Sequence, residues 1–149
     1  MRQLMKAGLI AMMFAMPAAA WAQSASPAGM WKTIDDETGK PKSLVRITEE
    51  NGTLSGKVEK LFRPADQDQN PKCTACDGAR KDQPIIGMTI LWGLKKDGNE
   101  YTGGEILDPA KGKTYRSKAT LKDNGSKLEV RGYIGAPMFG RSQTWVREQ

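Results

Sequence analysis

The chain has 149 residues, a formal charge of +6, two cysteines and no histidine. The missing histidine excludes Ser-His-Asp and Cys-His hydrolase sites and any zinc or copper held by imidazole. Lysine and arginine are interleaved with aspartate and glutamate rather than gathered in an aromatic-studded stripe, the pattern of a solvated mixed surface and not of a nucleic-acid face.

The chain opens with Arg2 and Lys6, continues through the apolar run AGLIAMMFAM, and reaches PAAAWA, which ends at Ala20-Trp21-Ala22. Basic region, apolar region and A-x-A site together read as a secretory signal cleaved before Gln23. The apolar run falls short of the roughly 20 residues that span a bilayer. Removing these 22 residues from 149 leaves 127, and the charge drops to +4 because Arg2 and Lys6 leave with the signal. Residues 23–149 are therefore expected to form one exported domain, periplasmic or secreted, with no membrane span.

Short alternating runs separated by turns fill that domain. GMWKTI comes first; SLVRITE and TLSGKVEKL flank Asn51-Gly52; MTILWGL and EYTGGEIL flank Asp97-Gly98. Asp108-Pro109 through Gly112 leads to KTYRSKATL, Asn124-Gly125 separates it from KLEVRGY, and RSQTWVRE ends the series. Asn-Gly and Asp-Gly suit tight hairpins because both residues tolerate positive φ. Leu54, Gly56 and Val58 oppose Lys57 and Glu59; Tyr115, Ser117, Ala119 and Leu121 oppose Thr114, Arg116, Lys118 and Thr120; Leu128 and Val130 oppose Lys127, Glu129 and Arg131. This period-two pattern predicts an all-β fold of about eight strands in a meander. A small antiparallel up-and-down barrel removes the exposed edges and is preferred to a two-sheet sandwich. In a closed barrel the first and last strands are neighbours. Trp31 and Trp145 are then expected to plug one end, with Arg147 or Arg141 over an indole.

One segment departs from the meander. From Arg63 to Pro84 the chain carries almost no large apolar residue, which predicts a long loop acting as a lid or binding element. It contains Cys73-x-x-Cys76. Two thiolates without histidine leave a zinc site half built, so no metal is expected. A redox C-x-x-C relies on a helix N-terminus in an α/β scaffold, which this chain lacks. A structural disulfide follows from the exported compartment and would add roughly 2 kcal/mol by rigidifying the loop tip.

Candidate binding residues are the scarce aromatics and the side chains of the Gly-rich connection near the C-terminus. Trp92, Tyr115 and Tyr133 present apolar bodies with polar tips, suited to a pocket with a wet mouth. Arg131 and Gln143 flank the connection holding Gly135, Pro137 and Gly140, and Arg131 or Arg141 has the fork to clamp a carboxylate.

Together, G-x-W at Gly29 and Trp31, C-x-x-C-x-G at Cys73 to Gly78, I-L-D-P-x-x-G-K-x-Y ending at Tyr115, and R-G-Y-x-G with G-R-x-Q-x-W, from Arg131 to Trp145, resemble the bacterial exported proteins catalogued as domain of unknown function 2147. The resemblance covers Gly29 to Arg147. It implies a lipocalin-like, calycin-type barrel in the periplasm or outside the cell, and it implies no activity. The expectation is a non-enzymatic barrel without cofactor that binds a small apolar or amphipathic ligand, gated by the 63–84 loop. The alternative is an envelope-stress or inhibitor-like module presenting that loop to an envelope protein, and third comes a thiol–disulfide oxidoreductase.

Overall fold

A computed structural model describes residues 26–148. The signal read at residues 1–22 lies outside them. Eight strands follow in order: β1 (Gly29–Ile34), β2 (Pro41–Glu50), β3 (Thr53–Leu61), β4 (Thr89–Asp97), β5 (Glu100–Asp108), β6 (Lys113–Lys122), β7 (Lys127–Tyr133) and β8 (Gly140–Arg147). Each pairs antiparallel with its successor, and Trp31↔Arg147 and Lys32↔Val146 join β1 to β8, so the sheet closes into a barrel as the alternation predicts. Asn51 and Gly52 both take positive φ (53° and 75°), the twist a two-residue hairpin needs. The turn expected at Asp97-Gly98 lies one residue later, because Asp97 still pairs with Glu100.

The up-and-down order gathers the short turns after β2, β4 and β6 at one end and the connections after β1, β3, β5 and β7 at the other. The inner wall near the short turns is apolar: Trp31, Ile47, Leu54, Leu94, Tyr101, Leu128 and Trp145 are all buried there. Large side chains fill this half, as in other small eight-stranded barrels.

Arg147 seals this closed end. Its guanidinium lies 4.4 Å from the Trp31 ring centroid and donates to the carbonyls of Gly125 (2.7 Å), Ala28 (2.9 Å) and Ser26 (2.8 Å). Trp31 Nε1 donates to the Pro27 carbonyl at 2.8 Å. The expected pairing of an indole with a basic residue of the last strand is therefore realised, by Arg147 and not Arg141. One cation ties together the segment before β1, the β6–β7 turn and the end of β8. Burial lowers the Arg147 pKa from its ordinary value, yet guanidinium stays charged in proteins.

The long connection between β3 and β4 is a strap on the outer wall. Leu91 and Ile106 pair on the inner face, so their neighbours Ile90 and Leu107 point outward. Both are nevertheless buried, as are Met88, Cys73 and Cys76 of the strap, and Cys73 Sγ lies 3.4 Å from the carbonyl oxygen of Pro109, two residues past Leu107. The disulfide Cys73–Cys76 forms the tip of the strap, which is held by Cys73 N–H to Gln83, Asp82 N–H to Cys73 and Ile85 N–H to Pro71. The tip lies against the β5–β6 turn, where Gly112 has φ +64° and a Cβ would stand 1.8 Å from the Ala75 carbonyl oxygen. Only glycine admits that approach. The sequence predicts a lid or binding element; the tip of the strap is fastened at the rim, against the β5–β6 turn. Outward Ile90 and Leu107 need cover, and the strap supplies it.

Candidate ligand site at the open end of the barrel

Toward the open end the inner wall changes character. Thr33, Ser43, Ser117 and Gln143 face inward there beside Leu61, Ile106 and Tyr115, as their pairing with inward residues requires. Thr33 and Ser43 share a 2.6 Å hydrogen bond between their hydroxyls. Gln143 Oε1 accepts from Trp145 Nε1 at 3.3 Å, which marks the boundary between the apolar and polar halves.

Ser117 stands apart from these satisfied groups. Its exposure is 0%, and its hydroxyl has no hydrogen-bond partner among the described residues. On the sheet it is paired with Gly104 on one side and Gly132 on the other, so no neighbouring side chain of its own row can reach it. Leaving a buried hydroxyl unpaired costs about 1–3 kcal/mol, which makes the position one to account for. Tyr115 lies two residues nearer the mouth on the same face of β6. At the rim Arg141 pairs with Asp36 at 3.3 Å, and the Lys113 ammonium lies 5.6 Å from the Tyr115 ring centroid. Asp35, on the same rim, accepts from the backbone N–H groups of Thr38 and Glu37, and these bonds lower its pKa below the ordinary carboxylate value.

The five residues singled out from the sequence are not brought together. Tyr115 and Gln143 face inward in the open half. Trp92 pairs with Glu105 on the outer wall, with the Arg80 guanidinium 4.6 Å from its ring centroid. Beside it the strap leaves an open pocket of about 370 Å³ bordered by Arg80, Gln83 and Met88. Tyr133 pairs with Arg116 and also faces out. Arg131 is outward and occupied: it donates to the Pro137 carbonyl (2.6 Å), the Ser142 hydroxyl (2.9 Å) and the Gly140 carbonyl (3.3 Å), holding the β7–β8 connection. That fork is therefore spent on its own backbone rather than open to a carboxylate.

Sequence reasoning passed over Ser117. The signal was there in its inward parity on KTYRSKATL, but the glycines on either side come from register, which a single sequence does not give. Among the described residues no group of three or more Cys, Asp and Glu side chains is placed to hold a metal ion, and no helix is long and apolar enough to cross a membrane.

A closed meander of eight antiparallel strands, sealed at one end by a tryptophan under an arginine, places the protein among lipocalin-like barrels. The chain belongs to the family described as "Uncharacterized protein conserved in bacteria (DUF2147)", which it matches over residues 29–147. It is similar in fold to the Helicobacter pylori protein HP1028, described as belonging to the lipocalin family, with 23% identity and a TM-score of 0.71 over 83% of this chain and 84% of that one. No curated protein matches the chain.

Proposed function

We propose that this is a non-enzymatic protein of the bacterial periplasm or exterior that takes a small amphipathic ligand into the open half of its barrel. One observation carries the reading: the Ser117 hydroxyl, fully buried and unpartnered, on an inner wall that combines other hydroxyl and amide groups with Leu61, Ile106 and Tyr115. A ligand with one hydrogen-bonding group would satisfy Ser117 once the side chains that cover it move aside, while its apolar part lies against Leu61, Ile106 and Tyr115. The filled closed half limits the ligand to a short one, so the reading does not extend to a long alkyl chain. Export is supported by the signal-like N-terminus and by the disulfide. The loop-presentation alternative asks for a rigid, exposed strap, which is present, but residues 63–84 carry no large exposed apolar side chain to anchor a partner. The oxidoreductase reading loses support because both sulfurs are buried.

The test is native mass spectrometry of protein isolated without detergent from the envelope of its own host, with a Ser117→Ala variant in parallel. A retained small molecule that is lost or weakened in the variant is the expected result. The variant's ligand-free form should also be more stable by about 1 kcal/mol, since an unpaired buried hydroxyl has been removed. A wild-type protein that carries nothing, together with a variant less stable than wild type, would refute the reading.

A further inference from the structure

The β7–β8 connection, residues 134–139, carries three large apolar side chains in the open: Ile134 is 56% exposed, Met138 76% and Phe139 69%. Among the described residues the other exposed large hydrophobic side chain is Phe62, at the end of β3 and so also at the open end of the barrel. The connection is held in shape from below. Arg131 grips the carbonyls of Pro137 and Gly140, Ile134 N–H bonds the Phe139 carbonyl at 3.3 Å, and Phe139 N–H bonds the Ala136 carbonyl at 3.0 Å. An apolar tip fixed in this way loses little conformational freedom when it is buried against something else.

We infer that this tip docks the barrel, open end first, onto an anionic phospholipid bilayer. Basic side chains that can meet lipid headgroups stand beside the tip, on a rim that also carries Asp35 and Asp36. Arg141 follows the tip after Gly140, Arg116 is paired across the strands with Tyr133, and Lys113 stands over Tyr115 at the rim. Arg116 stands level with Glu105 and Lys113 with Asp108 without closing an ion pair among the described residues, while Arg141 is paired with Asp36 in the neighbouring rim loop. Apolar side chains that enter the headgroup boundary with basic residues beside them are the physical make-up of a peripheral membrane contact. The size of the feature argues for lipid over protein. A stable protein interface uses roughly 20–30 residues a side, and this convex tip has six. The inference stands independently of the ligand reading, because docking needs nothing inside the barrel.

The experiment is co-sedimentation of the processed protein with vesicles of phosphatidylcholine alone and of phosphatidylcholine mixed with phosphatidylglycerol. Binding is expected to the mixed vesicles and to weaken as salt is raised. The Met138→Ser/Phe139→Ser double variant should bind at least about tenfold more weakly with an unchanged urea midpoint, and Arg141→Gln should flatten the salt dependence. Absence of binding to either vesicle, or a double variant that binds like wild type, overturns the inference. A wild type that dimerises in sedimentation while ignoring vesicles, with a monomeric double variant, would overturn it in favour of a contact between two copies of this chain.

Discussion

Replacing Arg147 probes how the closed end is held. Arg147→Met keeps an unbranched apolar stem over Trp31 and removes the charge and all the donors; Arg147→Lys keeps the charge as a single point. The arginine makes three charge-assisted bonds to carbonyls and one cation–π contact. Each such bond contributes about 1.5–3 kcal/mol, and the stacked cation about 0.5–2 kcal/mol. Simple addition overshoots, because Ala28 is exposed and Ser26 and Gly125 are only partly buried, so their carbonyls regain water in the variant. The expected loss is therefore about 3 kcal/mol for Met and about 1–2 kcal/mol for Lys, a large share of the 5–15 kcal/mol that holds a typical domain together. Urea unfolding followed by tryptophan fluorescence measures it, since Trp31 and Trp145 are buried in the native state. In a thermal scan the Met variant should melt roughly 10 °C lower. If Arg147→Met falls within about 0.5 kcal/mol of wild type, the cation does not tie the closed end and the reasoning fails. If Lys does as well as Arg, the geometry of the fork is irrelevant and only the charge counts.

Further outcomes follow from the disulfide and from Tyr101. The Cys73–Cys76 disulfide should resist mild reductant and thiol reagents in the folded protein and react on unfolding, because both sulfurs are buried; equal rates in the two states would restore a redox role. Replacing both cysteines with serine should cost about 2 kcal/mol and raise hydrogen exchange in the strap first. Burial, and secondly the charge of Glu49, raise the Tyr101 phenol above its ordinary value of 10.0. The unfolded chain therefore loses that proton first, and stability present below about pH 10 should fall as pH rises further. Ultraviolet titration should find one of the three tyrosines ionising late, and Tyr101→Phe should reduce the alkaline loss. A phenol that titrates with the other two would contradict the assignment.

Much of the architecture was legible because it is local. Alternation on TLSGKVEKL, KTYRSKATL and KLEVRGY set inner and outer faces, and the Asn-Gly turns set which strands are neighbours; closure then followed from the need to cover two edges. The same alternation already placed Arg131 on the face opposite Val130, so its outward position was readable from the pattern itself. The sense of Trp92 was not, because MTILW is apolar on both faces. Leu91 and Ile90 are both buried, one inside the barrel and one under the strap, and periodicity does not distinguish two kinds of burial.

What the sequence determined by itself is a count of about eight strands, the meander and the nearness of a basic residue of the last strand to an indole, with the choice of arginine and tryptophan left to the structure. Each depends on neighbours in the chain or on barrel closure alone. Tertiary structure decided the rest. It brought Gly104 and Gly132 beside Ser117, which isolates a buried hydroxyl, and it laid the tip of the strap against Gly112 in the β5–β6 turn. Both outcomes depend on which residues of distant strands fall level with one another. That register is set by the packing of the whole barrel, not by any segment of it.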